Sequence, residues 1–93
     1  MNLRRDETEL VGSWKVLGGQ MVEDETSRRI RSLVSSYLRQ VAVSEDGWTK
    51  LYQDPEDQRF WELTYPLSEM QGGGPPRLCT IEGEQVRRKY KLS

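Results

Sequence analysis

Residues 39–65 decide the fold, and they read RQVAVSEDGWTKLYQDPEDQRFWELTY. Three segments of this stretch favour β-strands, because apolar, β-branched and aromatic residues in them alternate with polar ones. The three segments are 39–44, 48–53 and 59–65. They are separated by two short clusters of turn residues, 44–47 and 54–57. Two consecutive tight connections predict an antiparallel meander.

Alternation within the predicted strands indicates which side chains share a face. In the first strand, Val41 and Val43 fall on the same face. In the third strand the two faces carry Trp61, Leu63 and Tyr65 on one side and Phe60, Glu62 and Thr64 on the other. Each face of the third strand therefore presents at least one large aromatic ring to whatever covers the sheet.

Residues 26–38 predict an amphipathic helix. Apolar side chains recur there at helical spacing, and they are Ile30, Leu33, Val34, Tyr37 and Leu38. The opposite face carries Arg28, Arg31, Ser32, Ser35 and Arg39. Asp24 or Thr26 is suited to cap the N-terminus, and the acidic run 23–25 suits the positive end of the helix dipole.

The flanking segments add shorter elements. Residues 1–9 are polar and predict a frayed lead or at most a short helical one, and a strand is expected to begin at Leu10 and to be interrupted at Gly18-Gly19. In that strand Gly12, Trp14 and Val16 would face one way and Val11, Ser13 and Lys15 the other. After Pro66 we expect an irregular loop over 67–77, a fourth strand over 78–81 and a short helix over 82–92.

The predicted fold class is therefore α+β, with one domain over residues 1–93. Its sheet is mainly antiparallel and consists of the N-terminal strand and the three-strand meander. One long amphipathic helix packs on a face of that sheet, and a short helix ends the chain.

Composition narrows the classes of function. The chain has 93 residues, a net charge of −1, no histidine and one cysteine, Cys79. Without histidine it lacks the commonest general base and metal ligand, so we expect no catalytic, cofactor-binding or metal-binding residues. The charged start and the absence of an apolar run longer than three residues predict a protein without a signal peptide or membrane span. The lone cysteine favours a reducing, cytoplasmic compartment.

Acidic residues concentrate in segment 54–69. Its five carboxylates face a single cation, Arg59, which leaves a local excess of four negative charges. This pattern is typical of a solvated turn and strand face, or of a patch that meets a basic partner. The candidate partner-binding residues are Asp54, Glu56, Asp57, Phe60, Glu62 and Glu69. Replacing Asp54, Glu56 and Asp57 together by alanine is then expected to slow association and to leave stability nearly unchanged.

Aromatic residues are crowded into the same region. Trp61 and Trp14 are expected in the core, whereas Phe60 or Trp48 is a candidate exposed anchor. Aromatic sheets also bind single-stranded RNA, but that mode uses interleaved basic residues, and here the neighbours are acidic. A small nucleic-acid- or ligand-binding module that uses the aromatic sheet face stays open as the alternative. The loop 72–76 lacks the Lys and Ser/Thr of a phosphate-binding loop.

The tract DPEDQRFWELTYP at 54–66 resembles the immunity protein 27 family of bacterial polymorphic toxin and contact-dependent growth inhibition systems. Similar stretches are Ser68-Glu69-Met70, Gly72-Gly73-Gly74-Pro75-Pro76, Asp46-Gly47-Trp48 and Gly12-Ser13-Trp14. The resemblance implies an antitoxin that binds the C-terminal domain of a cognate toxin in the cytoplasm, as a monomer in a one-to-one complex. Binding would block the toxin's active site or an essential surface. The family often has a histidine where this chain has Gln71, which leaves the role of that position open.

Overall fold

The computed structural model of the chain describes residues 3–45, 47–66 and 74–90. These residues form seven strands and two helices. In chain order they are β1 (Glu9–Val11), β2 (Trp14–Leu17), β3 (Gln20–Glu23), α1 (Glu25–Ser36), β4 (Arg39–Val43), β5 (Lys50–Gln53), β6 (Phe60–Thr64), β7 (Arg77–Ile81) and α2 (Gly83–Tyr90).

The main sheet has five strands in the order β1-β7-β6-β5-β4, and every neighbouring pair is antiparallel. The predicted meander is confirmed as β4-β5-β6. Gly47 adopts a φ of 77° between β4 and β5, a conformation that glycine reaches without steric cost. The α+β class and the antiparallel sheet are therefore as the sequence predicts.

Helices cover the sheet on both faces. Side chains that are paired across strands share a face, so Tyr52, Trp61 and Leu63 alternate with Leu51 and Phe60. The first face packs under α1 in a core that comprises Leu3, Ile30, Leu33, Leu38, Tyr52, Trp61, Leu63 and Leu78. The second face packs under α2, where Val86 and Tyr90 meet Leu51, Phe60 and Ile81. The sequence predicts both helices, but the position of α2 opposite α1 emerges only from the structure.

The helix α1 is shorter than the predicted range of 26–38. Asp24 caps it, and its Oδ1 accepts a hydrogen bond from the Ser27 N–H at 2.8 Å. Tyr37 and Leu38 follow the last helical residue, and both of their N–H groups donate to the Leu33 carbonyl as the chain turns toward β4. Leu38 still reaches the core, so the apolar stripe is used although the helix ends early.

The single strand predicted from Leu10 is wrong, because the chain divides at Gly12 into two sheets. β1 pairs with β7 at the edge of the main sheet, while β2 and β3 form a separate hairpin. A side chain at Gly12 would lie 2.3 Å from the Ser27 Oγ and 2.9 Å from the Pro76 carbonyl oxygen. This close approach fixes the division. The predicted interruption at Gly18-Gly19 is the hairpin turn, with φ values of 59° and 80°.

Two further predictions need correction. A bulge between Gln40 and Ala42 breaks the alternation in β4, so Val41 packs toward α2 while Val43 is 46% exposed. Residues 1–9 are not a frayed lead where the structure describes them. Leu3 is buried in the first core, and Arg4, Glu7 and Thr8 accept hydrogen bonds from other elements.

Candidate functional site

The acidic turn, residues 54–57, brings three of the predicted site residues together between β5 and β6. Asp54 is 1% exposed. Its Oδ1 accepts hydrogen bonds from the Tyr37 hydroxyl at 2.7 Å and from the N–H groups of Glu56 and Asp57 at 2.8 and 3.4 Å. Burial, and after it the Asp54 carboxylate, raises the pKa of Tyr37, so the hydroxyl remains a donor. Asp54 therefore shapes the turn from inside and is not placed to contact a partner directly.

Asp57 is also used within the chain. Its Oδ1 accepts from the Arg59 N–H at 3.0 Å, and its Oδ2 accepts from the Arg59 Nε at 2.6 Å. Burial alone would raise the pKa of Asp57, but these hydrogen bonds outweigh it and hold the pKa below its ordinary value. The Arg59 guanidinium also lies 5.0 Å from the centre of the Trp61 ring. Arg59, the single cation of the acidic segment, therefore makes its contacts within the chain.

Arg59 connects the acidic turn to the N-terminal segment. Its Nη1 donates to the Glu7 carbonyl at 2.6 Å, and its Nη2 donates to the Arg4 carbonyl at 3.0 Å. The Glu7 carboxylate in turn accepts two hydrogen bonds from Arg29 of α1, at 2.6 and 2.7 Å. That bidentate pair lowers the pKa of Glu7 to about 2. The two Arg59 hydrogen bonds therefore tie the acidic turn to the N-terminal segment, and the Glu7–Arg29 pair ties that segment to α1.

Glu56 is the exposed carboxylate of the acidic turn. Its backbone N–H donates to the Asp54 Oδ1, which fixes the point on the turn from which the side chain projects. A partner that docks on this end of the molecule would meet Glu56 before the two carboxylates beneath it.

Phe60 and Glu62 lie away from the acidic turn, on the sheet face that α2 covers. Glu62 is 8% exposed, and its carboxylate accepts hydrogen bonds from the Tyr90 hydroxyl and the Lys89 Nζ, both at 2.7 Å. Phe60 is half-buried beside the α2 core. Glu69 and Gln71 lie outside the described residues. The structure thus groups Asp54, Glu56 and Asp57, and it separates Glu62 from them.

Phe60 does border an open cavity next to the acidic turn. This Phe60 pocket has a volume of about 480 Å³. Its lining includes Gln58 and Arg59, which follow the turn directly, and Ile81 and Gly83 at the junction of β7 and α2. Phe60 is therefore a wall of a recess that a partner's side chain could enter, and not a protruding anchor.

The hairpin β2–β3 carries candidate contact residues that sequence reasoning missed. Val16 and Leu17 are 67% and 68% exposed just before the Gly18-Gly19 turn. They lie on opposite faces of the hairpin, so no residue in the described part of the chain covers either face of its tip. The signal for them was present in the sequence, since two apolar residues followed by two glycines mark a hairpin tip.

The aromatic side chains do not form an open platform on the sheet. Tyr52 and Trp61 are buried under α1, with 4% and 0% of their surface exposed. Trp48, predicted as a candidate exposed anchor, is 63% exposed in the connection between β4 and β5. Across the described ranges, no three acidic or cysteine side chains are grouped to hold a metal ion, and neither helix is long and apolar enough to span a membrane.

Comparison with known proteins gives one positive finding. The family model for immunity protein 27 matches residues 16–82, a range that contains most of the β2–β3 hairpin, α1, the meander and β7. No curated protein matches the chain, and no solved structure matches it. The match covers well over half of the 93 residues. The chain therefore belongs to the immunity protein 27 family.

Proposed function

We propose that this chain neutralises the C-terminal domain of a cognate bacterial toxin by binding it one-to-one in the cytoplasm, acting as a single domain over residues 1–93. Membership of an immunity protein family is the observation that carries the proposal. Inhibition of this kind is stoichiometric and needs no catalytic group. An acidic turn held rigid by Arg59 and Tyr37 supports the binding role, because a preorganised surface loses little entropy when it docks.

The proposed contact surface is the acidic turn together with the Phe60 pocket beside it. Glu56 would pair directly with a cation of the toxin, and Asp57 would add negative potential from its half-buried position. Phe60 would line the recess that receives a toxin side chain. Asp54 and Glu62 would act indirectly. Asp54 would hold the conformation of the turn, and Glu62 would hold α2 against the sheet. Glu69 belongs to the same acidic segment, and we propose it as an additional contact.

Charge supplies a reason for occlusion of the toxin's active site. Toxins that cleave nucleic acids must bind phosphates, so their clefts are basic. An acidic inhibitor surface is attracted to such a cleft over several ångströms and excludes substrate once bound. The expected signature is an association rate that falls as the salt concentration rises.

The alternative of a nucleic-acid- or ligand-binding sheet receives little support. Single-stranded RNA would need stacking access to Tyr52 and Trp61, and both rings are buried beneath α1. Phe60 faces α2 on the other side of the sheet. We therefore keep toxin binding as the single proposed function.

Isothermal titration of the chain into the toxin domain encoded directly upstream tests the proposal, with the toxin's activity assayed in parallel. We expect one-to-one binding that abolishes the activity. Glu56→Lys is expected to weaken binding at least tenfold, since it puts a like charge against a basic surface. The matched control is Glu25→Lys, which reverses another exposed glutamate at the far end of α1.

Two results would contradict the proposal in distinguishable ways. Absence of binding between two folded proteins would remove the toxin-binding role for that pair. Tight binding that Glu56→Lys leaves unchanged would keep the role and move the contact surface elsewhere.

A further inference from the structure

The Phe60 pocket combines an apolar wall with a charged rim. Phe60 and Ile81 lie directly opposite each other in the register of β6 and β7, and both are half-buried. The volume of the pocket, about 480 Å³, falls in the range of cavities that hold small ligands. The pocket therefore offers apolar surface to a long side chain and charged groups to the end of that side chain.

Glu82 is an exposed carboxylate at the rim of the pocket, outside the acidic segment 54–69. Its backbone is held at the start of α2, because its carbonyl accepts a hydrogen bond from the Val86 N–H at 2.9 Å. None of the ion pairs formed between residues of the described ranges uses Glu82. A carboxylate with these properties is suited to pair with a cation of another molecule.

Glu82 and the acidic turn lie at the same end of the main sheet. β6 begins at Phe60 shortly after the turn, and β7 ends at Ile81 opposite it, so the chain leaves the sheet at Glu82 on the side of the turn. Glu56 and Glu82 therefore both present negative charge next to the pocket.

Two arginines also line the pocket, and Asp57 opposes the charge of both. The Arg59 guanidinium donates to the Asp57 carboxylate and to two carbonyl groups of the N-terminal segment. Burial raises the pKa of Asp57, whereas the hydrogen bonds from Arg59 and the nearby charge of Arg5 lower it. In the turn and the pocket lining, carboxylates outnumber guanidinium groups by four to two. The charge of this end of the molecule therefore favours a cationic occupant.

We infer that the Phe60 pocket receives an arginine side chain of the toxin domain, an inference that rests on the proposed function. The alkyl stem lies against Phe60 and Ile81, and the guanidinium pairs with Glu82. Arginine suits this pocket because its planar head stacks on an aromatic ring and pairs with a carboxylate through two hydrogen bonds. A cleft that binds phosphates supplies such a residue. Glu82 thereby joins the toxin contact, together with Glu56.

A probe of the same chemistry tests the pocket without any toxin. n-Butylguanidinium is titrated into the isotope-labelled full chain, and the amide chemical shifts of Phe60, Ile81 and Gly83 are followed by NMR. We expect saturable shifts at these residues with millimolar affinity, and binding of the uncharged isostere N-butylurea that is weaker by about fivefold or more. Glu82→Gln is expected to bring the affinity for n-butylguanidinium down to that for N-butylurea.

Variants of the full chain then test the same contact in the toxin complex. Gly83 lines the pocket, and a Cβ there would meet no atom within 4 Å beyond its chain neighbours. The φ of Gly83 is not positive, so leucine can adopt its backbone conformation and obstruct the pocket. We expect Gly83→Leu to weaken toxin binding about tenfold and Glu82→Gln to weaken it about fivefold.

The double variant Gly83→Leu/Glu82→Gln is expected to bind within about twofold of Gly83→Leu, because an obstructed pocket leaves Glu82 no cation to meet. The matched control is Glu84→Gln, which changes the next exposed glutamate of α2 and is expected to alter binding by less than about twofold. Glu84 pairs with Arg88 on the exposed side of the helix. Circular dichroism and thermal melting of each variant show that the fold is kept.

The inference is overturned if the probe shifts lie elsewhere on the chain, or if N-butylurea binds as tightly as n-butylguanidinium. Toxin binding that Glu56→Lys weakens and Glu82→Gln leaves unchanged would overturn the inference and keep the proposed function. Absence of toxin binding by the folded original chain would overturn both, so the two failures are distinguishable.

Discussion

The acidic turn and the β2–β3 hairpin are two exposed connections built in opposite ways. In the turn, Asp54, Asp57 and Arg59 exchange hydrogen bonds with one another, with Tyr37 and with the N-terminal segment. The hairpin tip is apolar and uncovered, with Val16 and Leu17 about two-thirds exposed. The acidic turn contacts Tyr37 at the C-terminal end of α1, and the base of the hairpin leads into the N-terminal end of this helix, whose 12 residues span about 18 Å.

The contrast shows that a side chain predicted from the sequence to be exposed is not always accessible to a partner in the structure. Acidic residues in a proline-containing turn are expected to be solvated, yet the carboxylates of Asp54 and Asp57 form hydrogen bonds that hold the fold. Val16 and Leu17 look like strand residues for a core, yet nothing among the described residues buries them. We therefore expect substitutions in the turn to lower the free energy of unfolding strongly and substitutions at the hairpin tip to change it little.

The largest effect is expected for Asp54→Ala. It removes the acceptor for the Tyr37 hydroxyl and for two backbone N–H groups in a buried site, so the free energy of unfolding should fall by about 3 kcal/mol. Urea denaturation measures it. Asp54→Asn keeps an acceptor oxygen and should lose less than half as much.

This prediction replaces the sequence-based expectation that the triple alanine variant of Asp54, Glu56 and Asp57 keeps its stability. Glu56→Ala alone should change the free energy of unfolding by no more than about 0.5 kcal/mol. An Asp54→Ala variant as stable as the original chain would contradict the structural role of the carboxylate.

Gly12→Ala is expected to rank next. A Cβ there would lie 2.9 Å from the Pro76 carbonyl oxygen, which belongs to the backbone and cannot rotate away. We expect a loss of about 2 kcal/mol by thermal or urea denaturation, since overpacking at a close approach forces backbone shifts. Gly83→Ala is the matched control, because a methyl group added there would meet no atom within 4 Å beyond its chain neighbours. Equal free energies of unfolding for Gly12→Ala and Gly83→Ala would contradict the close approach at Gly12 that separates β1 from β2.

Acid should weaken the turn through Glu7. Its pKa is about 2 in the fold against an ordinary 4.5, so the Arg29 pair stabilises the fold above about pH 4.5, and this stabilisation is lost as the pH falls toward 2. The difference in unfolding free energy between the original chain and Glu7→Gln should be about 1–2 kcal/mol at pH 7, should be clearly smaller at pH 2.5 and should vanish only below about pH 2. A difference that stays constant between pH 7 and 2.5 would mean that the ion pair is absent in solution.

The smallest effect belongs to the hairpin tip. Val16→Ser and Leu17→Ser should each change the free energy of unfolding by less than about 0.5 kcal/mol, because both side chains are already mostly in water. Val86→Ser, which truncates a valine with 2% exposure in α2, provides the contrast and should cost several times more. A large loss at Val16 or Leu17 would show that the tip is covered in solution.

Local patterns were enough to predict much of this fold. The alternation around Trp61 and Leu63, the turns at 44–47 and 54–57 and the cap at Asp24 depend on neighbours in sequence, and each is present in the structure. The division at Gly12 was not predictable, because it arises from contact with Ser27 and Pro76, which are distant in sequence.

The candidate site was harder to predict for the same reason. Charge alone indicated an acidic segment, but the partners that bury Asp54 and occupy Glu62 come from α1 and α2. The bulge at Val41 likewise follows from how β4 fits its neighbours and leaves no clear mark in the sequence. The composition of a segment gives its charged side chains, and tertiary contacts decide which of those side chains remain accessible to a partner.

The most direct test of the account is a comparison of toxin binding by the original chain, Glu56→Lys and Leu17→Ser, with the upstream-encoded toxin domain as the titrant. We expect tight one-to-one binding, a loss of at least tenfold for Glu56→Lys, and a loss of no more than about threefold for Leu17→Ser, which lies outside the proposed contact surface. If Leu17→Ser abolishes binding while Glu56→Lys binds like the original chain, the hairpin is the toxin-binding surface and the central claim is wrong.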